Sequence, residues 1–527
     1  ITQRRPRFGS RSVLLLVFSL AAAACSSTEM RSARDVQAGG GSAADTTETS
    51  SAQTADTVVD PATGQVVPAG TKGAAKAGKA AGTAAGGTKS TTGTGGGTGT
   101  GSGPGGGSGP GGGAGKIAMS HGITDTTIEL GIPFADATAY NAAAVGVGGT
   151  GSTFYQPDDP KGIQNALIEH INSTGGIAGR KVVPVWFELK ASNAVTKEGR
   201  TRDAQQACAT FTEDHKVFAI VGSGQWTEDN IIECARRTKT LYIDQKVAAS
   251  TGAWVSEKRF AEVADYYYML TGMLSDRREK ALAESLARQG FFTPGAKVGI
   301  LTVDSPSMRQ GIDNGLKPVL AARGVPFVEI VYPDIIESPW QTYVFQFRNE
   351  GVTHVIFSAA GSEGMPGLLF MRAAEDQLWR PKYGISSLPV PWLSANAPKE
   401  QLRNAKGVAW IPGQLGETVA PVSANDAACR SVLKKKGYPE GITVGAAFCD
   451  FFFFLKTGLE RATALTPTGF AAAVAGLGTG YQGVRTFNGH MRFGPTLHAG
   501  AELVRDFAWN DAAGRFDYTS GPYAAPP

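Results

Sequence analysis

The 527-residue sequence has little excess charge of either sign, because 50 basic and 46 acidic residues leave a net charge of only +4. It also lacks any run of Lys and Arg with interleaved aromatic residues, which a groove for nucleic acid would require. We therefore expect no nucleic-acid partner.

The usual signs of catalysis are absent as well. There is no G-x-S-x-G element, the six histidines show no pairing with a serine, and there is no G-x-x-x-x-G-K-[ST] phosphate loop. One G-x-G-x-x-G run, Gly146–Gly151, leads into Ser152–Pro157 and not into a helix, so we interpret it as a flexible loop. These absences predict a protein that is not an enzyme and uses no cofactor.

Cysteine is scarce, and four of the five cysteines lie beyond residue 200: Cys208, Cys234, Cys429 and Cys449. An even number outside the cytoplasm indicates two disulfides, for which three pairings are possible. Cys208–Cys234 with Cys429–Cys449 closes the two shortest loops. Metal binding is the alternative, but there is no CxxC and no histidine clusters with these cysteines.

No apolar run reaches the roughly 18 residues that a membrane-spanning helix needs. The apolar run Val13–Ala24, interrupted by Ser19, follows four arginines and ends in Ala22-Ala23-Ala24-Cys25-Ser26-Ser27. This arrangement resembles a bacterial lipoprotein signal, with residues 1–24 as the signal peptide and Cys25 as the lipid-modified first residue. The alternative is an ordinary secretory signal that happens to end near a cysteine.

Large apolar side chains are nearly missing from residues 25–115, which are rich in Gly, Ser, Thr and Ala. Such a segment cannot bury enough surface to offset its ordering entropy, so we predict a disordered tether. About 90 residues of this composition have an end-to-end distance of about 55 Å. The tether would let a folded part move above the membrane to which Cys25 is anchored.

From Ile117 onward, short apolar runs alternate with amphipathic stretches, which predicts an α/β fold with parallel sheets. The predicted strands are Thr127–Pro133, Lys181–Leu189, Val217–Gly222, Thr240–Ile243, Lys297–Thr302, Val328–Val331 and Thr353–Phe357. The predicted helices are Gly162–Asn172, Thr201–Glu213, Asp229–Arg237, Gly311–Arg323, Gln341–Glu350 and Gly367–Gln377. Because the alternation restarts near Lys297, we expect two Rossmann-like lobes with a ligand cleft between them.

These segments, in this order, resemble the type I periplasmic binding proteins, specifically the branched-chain amino-acid (leucine)-binding subunits of ABC importers. The resemblance is carried by Gly122–Gly131, Ile171–Arg180, Lys216–Gly222, Gly311 and Gly407-Val408, and it extends from Ile117 to about Gly514. It implies that residues 116–265 and 408–490 form lobe 1, and that residues 266–407 and 491–527 form lobe 2. It also implies three crossings between the lobes.

The resemblance places three ligand-binding segments in lobe 1. The loop containing Gln225, Trp226 and Thr227 would meet a carboxylate, since free N–H groups at a helix N-terminus and a hydroxyl favour an anion. The alternative is that Thr227 only caps the helix and Trp226 belongs to the core. A second loop would contribute backbone groups of Val247 and Ala249 and the Ser250 hydroxyl, unless it is a plain turn. Tyr140 would contact the ligand or be a surface tyrosine.

In lobe 2 the candidate ligand-binding residues lie at strand ends: Met308, Ser362, Glu363, Ser386 and Ser387, with Arg309 as an alternative to Met308. The resemblance implies acidic and aromatic groups here to hold an ammonium, but the best-matching position carries Ser386-Ser387. Glu363 would replace the missing acid or be a solvated turn residue. An uncharged or carboxylated solute therefore fits as well as an amino acid.

Taken together, the sequence predicts a solute-binding lipoprotein on the extracytoplasmic face of the cell membrane. Its expected partners are a small organic solute (an amino acid, amide or carboxylate), an ABC permease, and the membrane through the lipid anchor. The alternative is a ligand-sensing or cell-envelope scaffold lipoprotein of the same fold, because fold alone does not determine function.

Overall fold

The computed structural model describes residues 57–59, 66–68, 117–136, 159–194, 196–222, 230–244, 261–263, 265–333, 338–358, 364–417, 419–438 and 443–527. The chain divides into two compact units, residues 1–109 and 110–527. In the first unit, strands β1 (Thr57–Val59) and β2 (Val66–Pro68) pair in antiparallel fashion. In both units, the described helices include none that is long and apolar enough to cross a membrane.

The first of two sheets in the larger unit has five parallel strands in the order β4-β3-β5-β6-β7. They are β3 (Thr127–Ala135), β4 (Lys181–Leu189), β5 (Ala219–Val221), β6 (Leu241–Asp244) and β7 (Tyr267–Met269). The connecting helices are α1 (Pro160–Ser173), α2 (Ala191–Ala194), α3 (Lys197–Cys208), which continues as a π-helix (Ala209–Asp214), and α4 (Asn230–Thr238).

The second sheet has five parallel strands, in the order β9-β8-β10-β11-β12, extended by antiparallel β13 and β14, with β15 also paired to β13. The strands are β8 (Val298–Val303), β9 (Phe327–Tyr332), β10 (His354–Ser358), β11 (Lys382–Ser386), β12 (Lys406–Ala409), β13 (Leu503–Asn510), β14 (Arg515–Tyr518) and β15 (Tyr523–Ala524).

The helices around the second sheet begin with α5 (Ser275–Arg288), and then α6 (Pro306–Gly311) and α7 (Lys317–Ala322), which are joined by a π-helix (Ile312–Leu316). They continue with α8 (Trp340–Asn349), α9 (Gly364–Asp376), α10 (Val390–Asn396) and α11 (Lys399–Leu402). The chain then forms α12 (Ala424–Lys435), α13 (Thr443–Arg461) and α14 (Pro467–Ala475). These last three helices pack with α1 and the first sheet in one hydrophobic cluster.

Local sequence explains where several helices begin. Side-chain oxygens of Asp159, Thr196, Ser423 and Thr466 accept hydrogen bonds from the backbone N–H three residues later, at 2.7–3.1 Å. These bonds satisfy donors that the first helical turn leaves without a partner. Pro160, Pro306 and Pro467 each occupy the first turn of a helix, where the missing N–H costs nothing.

The Asn-x-x-Gly-Gly motif that ends α1 is a structural turn. The Asn172 side chain pairs with the backbone of Val182 in β4, accepting from its N–H at 2.7 Å and donating to its carbonyl at 3.0 Å. Gly176 has φ +74°, and a Cβ there would lie 2.0 Å from the Arg180 carbonyl oxygen. Only glycine fits this close approach, so the motif joins α1 to β4 through a turn that requires glycine.

Two disulfides brace helices that cover the first sheet. Cys208–Cys234 links α3 to α4 and Cys429–Cys449 links α12 to α13, with Cα–Cα distances of 6.0 and 5.9 Å. This confirms both the prediction of two disulfides and the pairing that closes the shortest loops.

The chain passes between the two sheets three times: after β7, after β12 and before β13. The first and third crossings run side by side, since Met269 exchanges hydrogen bonds of 2.8 Å with His498 and Gly500. A buried cluster that includes Met269, Trp410 and Ala501 contains residues of all three crossings. The described residues therefore form the predicted α/β architecture of two lobes joined by a packed hinge.

Candidate ligand cleft

In open α/β sheets, ligands bind beyond the carboxyl ends of parallel strands. In lobe 1 these ends are Ala135, Val221 and Asp244, and in lobe 2 they include Val303, Ser358 and Ser386. Most predicted site residues follow these ends and lie outside the described residues: Tyr140, Gln225, Trp226, Thr227, Val247, Ala249, Ser250, Ser362 and Glu363. Cys25 also lies outside them. Their roles therefore stay predictions.

The start of the Gln225–Thr227 loop is nevertheless constrained by Gly222. This residue has φ +138°, and its N–H donates to the Ile243 carbonyl at 3.1 Å. A Cβ here would lie 3.2 Å from Pro133 Cδ on β3. A glycine is therefore needed directly after β5, since both the positive φ and the close approach of β3 disfavour a side chain.

Asp244, the last residue of β6, is an acidic group at the lobe 1 strand ends that the sequence analysis did not single out. It is fully buried and accepts a hydrogen bond from the Tyr267 hydroxyl at 3.1 Å. The signal available in the sequence was an acid that ends an otherwise apolar buried strand. This bond joins β6 to β7 next to the first crossing.

In lobe 2 the structure places hydroxyl groups at the ends of three adjacent strands. Thr302 on β8 is in register with Ser358 on β10, while Ser386 ends β11 and Ser387 follows it. All four are at most 2% exposed, and the Ser358 and Ser387 hydroxyls have no hydrogen-bond partner in the part of the chain that the structure describes. Ser386 and Ser387 were predicted from the sequence as site residues, whereas Thr302 and Ser358 were not.

Charged groups near this edge are paired with one another. Asp304, directly after β8, forms an ion pair with Arg309. Arg278 and Glu279, both at most 2% exposed, pair near the start of α5. The described part of the lobe 2 edge therefore offers neutral hydroxyls, which can both donate to and accept from a ligand's oxygens.

Met308 is fully buried in α6, in a hydrophobic cluster that also includes Ile312 and Leu316. Its Sδ lies 3.5 Å from Nη2 of Arg278. As described, this side chain belongs to the packing between α5 and α6, and its predicted contact with a ligand is untested.

Two α/β lobes with parallel sheets, joined by three crossings, define a hinged two-lobe binding protein. The family model described as periplasmic binding protein matches residues 148–512, well over half of the chain. The chain belongs to this family. No curated protein matches it.

Solved structures share the fold at low sequence identity. A leucine-binding protein from Thermotoga maritima is 11% identical with a TM-score of 0.54, covering 76% of this chain and 99% of its own. A branched-chain amino-acid ABC transporter protein from Thermus thermophilus with bound valine is 15% identical with a TM-score of 0.53, covering 76% and 97%. A solute-binding protein of an ABC transporter from Rhodopseudomonas palustris, in complex with 3,4-dihydroxybenzoic acid, is 13% identical with a TM-score of 0.52, covering 76% and 98%.

Proposed function

We propose that this protein is an extracytoplasmic lipoprotein that binds a small organic solute between its lobes and delivers it to an ABC importer. The observation that carries the proposal is a pair of parallel sheets whose strand ends carry polar residues and which are joined by three chain crossings. The chain also belongs to the periplasmic binding protein family. Closure of the lobes on the solute would create the surface that a permease recognises.

The chemistry of the lobe 2 edge supports a solute that presents oxygen atoms, such as a carboxylate or an amide. Neutral hydroxyls of Ser358, Ser386 and Ser387 can bond such groups, whereas they cannot neutralise an ammonium. Proteins of this fold bind both kinds of solute, as the structures with valine and with 3,4-dihydroxybenzoic acid illustrate. Cys25 would anchor the protein through the tether of residues 25–115.

A thermal-shift screen of the full chain tests the proposal, with leucine, valine, benzoic acids and neutral amides as the solutes. We expect at least one carboxylate or amide to raise the melting temperature, because a solute that binds only the folded state stabilises it. Thr227→Ala and Trp226→Ala should each weaken that solute's calorimetric affinity by about fivefold or more.

Surface substitution Gln346→Ala, on the outer helix α8, is the matched control and should leave affinity unchanged. Unchanged affinity in both Thr227→Ala and Trp226→Ala would remove this loop from the site. No stabilisation by any of the solutes would contradict the assigned solute class.

A further inference from the structure

Lys161, in the first turn of α1, is a cation that contacts aromatic rings and no acid. Its Nζ lies 4.7 Å from the ring centroid of Phe134 on β3 and 5.4 Å from that of Trp186 on β4. The two rings meet edge to face, with centroids 5.8 Å apart. Within the described residues Lys161 forms no ion pair, and all three side chains are only half-buried. The ammonium is therefore available to an anion from solution.

The register of the first sheet places this group at the lobe 1 strand ends. Phe134 is the next-to-last residue of β3, and Trp186 is in register with Ile132, two residues earlier. Because side chains alternate along a strand, all three lie on one face of the sheet. Helix α1 covers this face, since Ile132 belongs to the same buried cluster as Ile163 and Leu167. The cation and the rings thus lie at the edge where ligands bind in open α/β sheets.

A buried acceptor lies beside the cation. Gln164 follows Lys161 by three residues, so it shares a side of α1 with it, and it is fully buried. Its Nε2 donates to the Pro160 carbonyl at 3.2 Å, which turns the amide towards the start of the helix. The amide oxygen, Oε1, has no donor in the part of the chain that the structure describes. A buried acceptor without a donor is unfavourable, so a donor supplied by a ligand would stabilise it.

We propose that Phe134, Lys161, Gln164 and Trp186 recognise the solute in lobe 1, and that this solute is a hydroxylated aromatic carboxylate. Its carboxylate accepts from the Lys161 ammonium, its hydroxyl donates to Gln164 Oε1, and its ring packs against the two aromatic side chains. An amino acid is disfavoured, since its ammonium would meet the like charge of Lys161. The inference rests on the proposed function, because it names the solute of the same cleft.

Titration calorimetry of the full chain with matched probes tests the proposal. The ortho-, meta- and para-hydroxybenzoates carry both groups at three spacings, whereas benzoate lacks the hydroxyl and the hydroxybenzamides lack the charge. The best hydroxybenzoate should bind about fivefold more tightly than benzoate, through the bond to Gln164. It should bind roughly tenfold more tightly than its own amide, because a hydrogen bond between charged groups is the stronger one.

Two substitutions assign these differences to residues. Lys161→Met should weaken binding of the hydroxybenzoate by roughly tenfold and leave binding of its amide within about twofold. Gln164→Leu should weaken binding of the hydroxybenzoate by about fivefold and leave that of benzoate nearly unchanged. A general loss of structure would instead weaken all the probes together. Lys161→Met changes a half-buried side chain, so it keeps the test decisive should Gln164→Leu fail to fold.

The matched control is Lys181→Met, which removes an exposed lysine at the opposite end of β4 and should change no affinity. An effect of Lys181→Met as large as that of Lys161→Met would overturn the site. Equal losses for the hydroxybenzoate and its amide in Lys161→Met would overturn it as well.

The thermal-shift screen separates this inference from the proposed function. If no hydroxybenzoate binds while another solute stabilises the protein, the aromatic carboxylate is excluded and solute binding stands. If no solute binds at all, the proposed function fails together with the site.

Discussion

The two lobes each contain a buried aspartate, and the pKa values of the two carboxyl groups are shifted in opposite directions. Asp450 in lobe 1 is fully buried, and burial raises its pKa to about 7. Asp506 on β13 in lobe 2 is 4% exposed, yet its pKa is lowered. Burial alone raises the pKa of Asp506 too, but hydrogen bonds from Arg288, Ser285 and Tyr523 outweigh it.

The two carboxyl groups differ in how strongly burial acts on them and in whether a guanidinium is hydrogen-bonded to them. Arg288 donates to both carboxylate oxygens of Asp506, at 3.0 and 2.8 Å, and so stabilises the charged form directly. Asp450 is bonded by Tyr481 and Val484, while Arg485 acts on it only at a distance. A nearby guanidinium favours the charged carboxylate at both positions, and the direct hydrogen bonds from Arg288 add to that effect at Asp506.

The largest expected effect is on the pH dependence of lobe 1. Because the folded pKa of Asp450 lies above its unfolded value near 4, its stabilising contribution is present below about pH 4 and is lost as pH rises through 7. The free energy of unfolding of the unaltered protein, relative to Asp450→Asn, should fall by up to about 4 kcal/mol over this range. Urea unfolding at pH 4.5, 6 and 7.5 measures the difference, and a flat difference would contradict the assigned shift.

The second-largest expected effect on stability comes from removing the Cys429–Cys449 disulfide. This disulfide lies beside Asp450, since Cys449 precedes it on α13. Replacing both cysteines by serine should destabilise lobe 1 by about 3 kcal/mol, through loss of a crosslink spanning 20 residues. Calorimetry should show a lowered transition, with the pH dependence of Asp450 reduced as water reaches it. The double variant of Cys208 and Cys234, which lie away from Asp450, is the control and should leave that pH dependence in place.

Much of this fold could be predicted from the sequence, because buried parallel strands keep continuous apolar runs. β4 was predicted with its observed bounds, and the remaining predicted strands lie within two residues of theirs. The helix predicted over Gly311–Arg323 corresponds to the π-helix and α7, and the helical stretch starts earlier, with α6 at Pro306, where proline marks a first helical turn. α13 was not predicted, since its centre, Phe451–Leu455, is apolar at every position and shows no helical period.

The site was less predictable than the fold. A hydroxyl at a strand end has no distinctive spacing, so Thr302 and Ser358 resembled ordinary strand residues until the register of β8 and β10 placed them side by side. Likewise, Asp450 and Arg485 are far apart in sequence, and only the hydrogen bonds of Asp450 with Tyr481 and Val484 bring them together. Such contacts depend on tertiary packing that no local pattern encodes.

Removing the Arg288 guanidinium, which is hydrogen-bonded to Asp506, should lower the free energy of unfolding more than removing the guanidinium of Arg485. Arg288→Met leaves Asp506 with only Ser285 and Tyr523, and we expect a loss of about 2 kcal/mol in the free energy of unfolding at pH 7. Arg485→Met should cost under about 1 kcal/mol, since no hydrogen bond is lost. Chemical denaturation of both variants side by side checks the order, and equal losses would contradict the distinction drawn between the two aspartates.

The smallest expected effect is the acid dependence of lobe 2. Because the folded pKa of Asp506 lies below its unfolded value, its contribution is present above about pH 4 and is lost as pH falls through the lowered folded pKa. Relative to Asp506→Asn, the unaltered protein should therefore become less stable between pH 5 and pH 3, by less than any of the changes described above. This sign is opposite to that expected for Asp450, so the two asparagine variants measured in one denaturation series separate the lobes. A loss for Asp506 that grows with rising pH would show that Arg288 does not hold the carboxylate in its charged form.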